Sequence, residues 1–333
     1  MRFDKYEWTA ISIMLFLFII VGFVQGWSVS LVILNMCMIS AIMTMGVNIS
    51  WGYAGVINFG VMGFLAMGGL AAVLVSYPPI KEAWHVGGSG LGISFVLLVG
   101  LVTAVYFISK LVEKKSRKYW LNGLVIFFGI LLIRYFFLNA TSRIEEVDPA
   151  LAGFLGGANL PIIFSWVVGG FFAAGVAFVI GKVALGLRSD YLAIVTLGIS
   201  EIVVSVLKHE EWLSRGVKNV IGLKRPVPYE INLQSSDWFI NIVTWFNSAK
   251  LNQILDSDQK QQMLNNLIID SSSLFVKLNY AILFFTVMII IYYFANKAQI
   301  SPWGRMMRAI RDNEVSANAM GKDIVKQHLI IFV

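Results

Sequence analysis

A chain of 333 residues that is 58% hydrophobic and only 14% charged cannot bury its apolar surface in a water-soluble core and still present a solvated exterior. Soluble and disordered classes are therefore excluded. The formal net charge of +7 is spread over separate loops rather than gathered in one patch, which argues against a nucleic-acid partner.

Eight apolar runs reach or approach the roughly 20 residues a helix needs to cross about 30 Å of hydrocarbon. They lie at 9–24, 28–47, 52–76, 91–109, 119–139, 160–181, 191–207 and 274–295. Alternating ten-residue strand patterns are absent, so the expected class is an all-α polytopic transmembrane helical bundle, a single membrane domain over 1–333. The first run follows Arg2 and Lys5, but VGFVQGWS offers no small-x-small cleavage site, so it reads as a retained helix and not a secretory signal. Cys37, in the second run, is expected to be a small buried packing residue. The charged stretch 110–118 reads as a solvated loop. Between the seventh and eighth runs, 208–273 forms a long extramembrane segment. The patterns SSDWFINIVTWFNSAKLNQIL and DSDQKQQMLNNLII within it predict two short amphipathic helices, packed on the bundle or serving as a lid or platform. After the eighth run, 297–326 is basic, rich in small residues and amphipathic, and the sequence stops at HLIIFV, which reads as the opening of a further apolar helix, cut by truncation or by a genuine early stop.

Basic residues orient the chain. With a cytoplasmic N-terminus, the clusters at 2–5, 110–118, 182–188 and 297–326 fall on the cytoplasmic side, while the short outer loops hold Lys81 and Arg143, the pattern the positive-inside rule requires.

Two runs carry unusual chemistry. Glycines at 52, 55, 60, 63, 68 and 69, beside Asn48, Ser50 and Asn58, suit either close helix packing or a broken helix whose freed backbone groups line a polar path. Glu201 falls near the middle of the seventh run, where a charge costs roughly 2.5–3.5 kcal/mol unless water or a partner receives it. It is expected to face the bundle interior, as a structural carboxyl, a substrate contact or the proton site of an ion-coupled carrier. Arg134 is the other deep charge. A weak echo relates Tyr53-Ala-Gly-Val-Ile-Asn-Phe-Gly60 to Tyr191-Leu-Ala-Ile-Val-Thr-Leu-Gly198; chance or a parallel repeat with Asn58 and Thr196 as equivalents both account for it. The candidate translocation path is accordingly Asn48, Tyr53, Gly55, Asn58, Gly60, Tyr191, Thr196 and Glu201. In 297–326, Met307, Ile310, Glu314, Ala317 and Gly321 recur at three- and four-residue intervals. This predicts one helical face open to a partner backbone, with Arg305, Arg308 and Arg311 offering charge to an acidic groove or to anionic membrane lipid.

No segment reads G-x-x-x-x-G-K-[ST]; the nearest, at 175–182, has the wrong spacing. The chain is thus not expected to be an enzyme. His85, His209 and His328 are scattered, with no metal-ligand spacing.

Three blocks in order, NISWGYAGVINFGVMGFLAMGG, LRSDYLAIVTLGISEIV and SPWGRMMRAIRDNEVSANAMG, resemble the permease subunits of bacterial branched-chain amino acid ABC importers. The regions 81–159 and 235–273 lie outside the resemblance. The last block is similar to that family's EAA-type cytoplasmic loop, whose coupling helix docks on the ATPase. Glu314, Ala317 and Gly321 fit the pattern, and Ser316 and Asn318 depart from it. The resemblance implies coupling roles for Gly304, Arg305, Arg308, Ile310, Arg311, Glu314, Ala317 and Gly321. It also implies partners: two ABC ATPase subunits, a second, different permease chain and a periplasmic substrate-binding protein. ATP and Mg would be held by the ATPases and no cofactor by this chain. The place it implies is the bacterial inner membrane, and the cargo a branched-chain amino acid, with urea or short amides as the alternative. LSRGVKNVIGLKRP keeps Gly216, Asn219 and Gly222 of the family's glycine- and proline-rich stretch but carries charged residues among them.

Overall fold

The computed structural model describes residues 5–112, 115–149, 153–187, 189–253 and 256–333. Among the described residues there are helices and no strand, so the all-α expectation holds. Six helices among the described residues are long and apolar enough to cross a membrane, and two shorter apolar helices, Trp8–Val24 and Val61–Ser76, accompany them. The contacts divide the chain into two compact units.

The first unit comprises Met1–Asn58, Leu185–Leu192 and Arg225–Phe332. Helix α1 (Lys5–Val24) turns at Gly26, φ 100°, into α2 (Trp27–Val47), and Ser30 Oγ donates to Phe18 O at 2.9 Å across the pair. Cys37 lies on an exposed face of α2, not in the buried packing position expected of it. The helix continues without a stop into a π-helical turn, Asn48–Tyr53.

In the expected outer segment, α9 (Glu230–Gln234), α10 (Asp237–Phe246) and α11 (Ser248–Leu251) are short, but the second expected amphipathic helix is not separate. It runs unbroken into the eighth span as α12 (Ser257–Ile300), 44 residues. At 1.5 Å per residue this is about 66 Å, roughly twice the hydrocarbon thickness. Neither glycine nor proline occurs between 257 and 300, so nothing in the backbone stops the helix until Ser301 precedes Pro302. The outer turns of α12 bury Ile268 and Val276 against Val227, Leu233, Phe239 and Val243, with the Phe239 and Phe275 rings 5.7 Å apart. Polar links fasten α2 to α12: Asn35 Nδ2 donates to Lys277 O at 3.1 Å, and Lys277 Nζ donates to Ser28 Oγ.

The second unit contains Phe59–Ala184 and Ala193–Lys224. Helix α3 (Val61–Ser76) packs on α6 (Ile162–Ala184), where a Cβ on Gly169 would stand 3.2 Å from Gly68 Cα. Helices α4 (Lys81–Leu111) and α5 (Lys115–Glu145) form a long hairpin. The fourth span therefore begins ten residues earlier than expected. Gly87 and Gly90, which resemble loop residues in sequence, are the places where α4 meets Ile144 and Ala140. Between the two helices Lys118 Nζ donates to Ser109 O at 2.7 Å. Residues 153–160 then run without helix along the end of α3, with Ala158 N and Leu160 N donating to Leu74 O and Val75 O, both at 2.9 Å. Helix α7 (Ser189–His209) follows, then the single turn α8 (Glu211–Ser214).

Candidate functional site

The glycine-rich run does not form one helix. The last α-helical turn of α2 widens into the π turn, Gly55 takes φ 74°, and the chain is non-helical until α3 opens after Gly60. Alanine at 55 would be strained by that φ, and its Cβ would stand 2.9 Å from Arg311 Cγ. π turns are rare and concentrate at functional positions in helices. At the end of this helix Ser50 O accepts from Val56 N (3.1 Å) and Trp51 O from Gly55 N (3.0 Å). Asn48 is exposed and lies over Gly52; with Ala41, Thr44 and Trp51 it lines an open groove on α2. Tyr53 and Asn58 are half-buried.

In the second unit, the start of α3 is held by α7. Phe59 N donates to Thr196 Oγ1 at 3.2 Å, and Gly63 N donates to Ser200 Oγ at 2.7 Å. Gly60 is buried, and a Cβ on Gly63 would stand 3.0 Å from Ser200 Oγ. Ser200 was missed in the sequence; its signal is the four-residue spacing from Thr196, which puts both hydroxyls on one helical face opposite glycines spaced three apart. Ala193, Thr196 and Ser200 form the buried face of α7, whereas Tyr191 and Glu201 are exposed. Glu201 is therefore not turned into the interior of its own unit. It is rotated away from the Thr196–Ser200 face by the helical period, and no ion pair joins it to Arg134 among the described residues. The Tyr53–Gly60 and Tyr191–Gly198 echo does not correspond to equivalent conformations. The first copy breaks at Gly55, while the second, with Ala193 at that place, stays α-helical.

The segment expected to be one coupling helix is two, α13 (Pro302–Asp312) and α14 (Glu314–Ala319), followed by α15 (Ile324–Phe332). Ser301 caps α13 by accepting from Gly304 N at 3.3 Å, and Pro302 occupies its first turn. Asn313 ends α13 and caps α14, its Oδ1 accepting from Ser316 N at 2.9 Å. The expected docking face is divided by this break, with buried and exposed members. Met307 and Ile310 are fully buried, Ala317 is buried, and Glu314 is exposed. A Cβ on Gly304 would lie 2.4 Å from Gln299 O, so the turn from α12 into α13 requires this glycine. Gly321, φ 77°, closes α14. Its N–H donates to Asn318 O (2.9 Å) and that of Lys322 to Ala317 O (3.2 Å), the paired bonds of a Schellman cap. Among the exposed side chains of α14 and its cap, the large apolar ones are Val315 and Met320, 80% and 81% exposed.

The three arginines act on backbone carbonyls. Arg305 Nη1 donates to Ile300 O (3.0 Å) and Arg308 Nη2 to Gln299 O (3.5 Å), at the end of α12. Arg311 Nη1 donates to Gly52 O at 2.6 Å. A cavity of about 720 Å³ lies beside α14, lined by Glu314, Asn318, Lys322, Asp323, His328 and Gly55 among others. His328 is buried there with Nε2 unpartnered among the described residues; burial lowers its pKa from the ordinary 6.5, outweighing the opposite pull of Glu314.

A family model described as the branched-chain amino acid transport system permease component matches residues 86–333. The chain belongs to that family. As a family member it is a multi-pass membrane permease component and not itself an enzyme. The match takes in α7 and the α13–α14 segment, and also the α4–α5 hairpin, which lay outside the resemblance of the three sequence blocks; the glycine-rich block at 48–69 precedes it. No curated protein and no solved structure matches the chain.

Proposed function

We propose that this permease component is the membrane subunit of an ABC importer that takes up branched-chain amino acids delivered by an external binding protein in the bacterial inner membrane. Its N-terminus is cytoplasmic on the positive-inside count, which puts α13–α14 on the same side. A second, homologous permease chain completes the pathway, and two ATPase subunits hold ATP and Mg. The observation that carries the reading is the pair α13–α14 within the family match: a short, capped helical corner with Met307 and Ile310 rooted inside the chain and Val315 and Met320 directed outward.

The chemistry of transport is conformational. Closure of the ATPases on ATP pushes the corner, and the spans exchange between outward- and inward-open states. The broken stretch 54–60 supplies what a membrane-embedded path needs: backbone polar groups not consumed by a helix, beside Asn48, Tyr53 and Asn58, while Thr196 pins the start of α3.

Purification of the full-length chain from native membrane in mild detergent, with mass spectrometry of what accompanies it, tests the assembly. Recovery of an ATPase and a second permease is expected, together with ATP-dependent uptake of leucine, isoleucine or valine in proteoliposomes supplied with the binding protein. A chain that purifies alone and whose uptake collapses with a protonophore refutes the importer reading.

A further inference from the structure

We infer that Arg311 is a positioning residue that latches the α13–α14 corner to the broken end of the 27–53 membrane helix, and so carries the corner's movement into that helix. The inference rests on the importer reading for its functional consequence and on geometry for the latch itself.

The last carbonyls of any helix lack intrahelical partners. Here Ser50 O and Trp51 O are satisfied by Val56 N and Gly55 N, which turn back over the π turn. Gly52 O is satisfied by Arg311 Nη1 at 2.6 Å, from a residue 259 positions along the chain. A guanidinium at this place completes the carbonyl and also opposes the negative end of the helix dipole. Gly52 O is the acceptor that a continued α-helix would offer to Val56 N, so the arginine occupies the bond that would otherwise extend the helix.

The guanidinium is held in place. Asp312 Oδ1 accepts from Arg311 Nε (3.0 Å) and Nη2 (2.8 Å), leaving Nη1 for Gly52. The arginine stem passes over Gly55, where a Cβ would come within 2.9 Å of Cγ. At its other end the residue belongs to a rigid corner, with Met307 and Ile310 fully buried and Arg305 on Ile300 O. A displacement of α13 thus reaches Gly52 through one charge-assisted bond and a packed stem. This places Arg311 apart from Arg305 and Arg308, which bond the end of the helix directly preceding them.

The test uses the full-length chain, alone in detergent and assembled with its co-purifying subunits. Amide hydrogen exchange of the chain alone reads the latch. In Arg311→Ala, peptides covering 52–58 are expected to exchange about tenfold faster, with those from 30–45 unchanged, and Arg311→Lys to restore most of the protection because it keeps a cationic donor. In the assembly, Arg311→Ala is expected to retain the ATPase subunits and their ATP hydrolysis while uptake per ATP falls about tenfold. Unchanged exchange over 52–58 overturns the latch whatever transport does. Loss of the ATPase subunits from Arg311→Ala makes the residue a docking contact and also overturns it. If the wild-type chain recovers no ATPase, the importer reading fails instead, and the exchange comparison still decides the latch.

Discussion

Thr196 accepts the backbone N–H of Phe59 through Oγ1 at 3.2 Å, and one helical turn on Ser200 accepts that of Gly63 at 2.7 Å. Two hydroxyls on α7 thereby satisfy the amide just before the N-cap and one first-turn amide of a helix that begins without a side-chain cap of its own. Thr196→Val keeps the shape and removes the acceptor, so it is expected to cost about 1–2 kcal/mol, with Thr196→Ser close to wild type. Thermal unfolding of the detergent-purified chain reads the first effect. Uptake is expected to fall in Thr196→Val and in Asn58→Leu; normal uptake in both removes these residues from the path.

Inward and outward positions of the α13–α14 corner make opposite predictions. Met307→Ala or Ile310→Ala empties a fully buried site and is expected to destabilise by about 2–5 kcal/mol. Val315→Asp and Met320→Asp touch exposed side chains, should shift stability by less than about 0.5 kcal/mol, and are expected to release the ATPase from the purified complex. Retention of the ATPase by the double variant would take these two residues out of the interface.

Gly321 holds a left-handed turn and faces open space. Gly321→Ala is accordingly expected to cost about 1 kcal/mol through backbone strain, with Gly321→Asn costing less. An equal loss for both, measured by thermal unfolding, would point to steric contact instead.

His328 gives a pH dependence with a definite sign. Its folded pKa lies below the ordinary 6.5 because burial disfavours the imidazolium. The unfolded chain therefore binds the proton first as pH falls, and stability drops from about pH 6.5 downward until the folded group also titrates. His328→Gln is expected to flatten the melting-temperature profile over roughly pH 5–7. A profile with the wild-type slope would exclude His328 as its cause.

Glu201 is exposed on α7, so Glu201→Gln is expected to insert and fold like the wild type, and ATP-driven uptake to survive a protonophore. Loss of uptake in Glu201→Gln together with protonophore sensitivity would assign it a proton-carrying role.

Composition, run length and the absence of alternating strand patterns determined the all-α membrane class, because hydrocarbon leaves a polar backbone only the helix or the closed barrel. The glycine-rich run was legible as special, and Ser301, Pro302 and Asn313 carry capping chemistry that local sequence can show. Helix ends were less legible. The periodicity at 257–270 reads as a separate amphipathic helix, since nothing local reveals that it is continuous with a span and covered by Val227, Leu233 and Phe239. Only the tertiary structure decided which face of each helix is inside. The three- and four-residue spacing of Met307, Ile310, Glu314 and Ala317 does not tell the buried members, Met307, Ile310 and Ala317, from the exposed Glu314, and the difference depends on neighbours distant in the chain. The contact of Arg311 with Gly52 is of the same kind: a helix-end carbonyl and a guanidinium 259 positions apart have no local signature, because the bond exists only once both helices are packed.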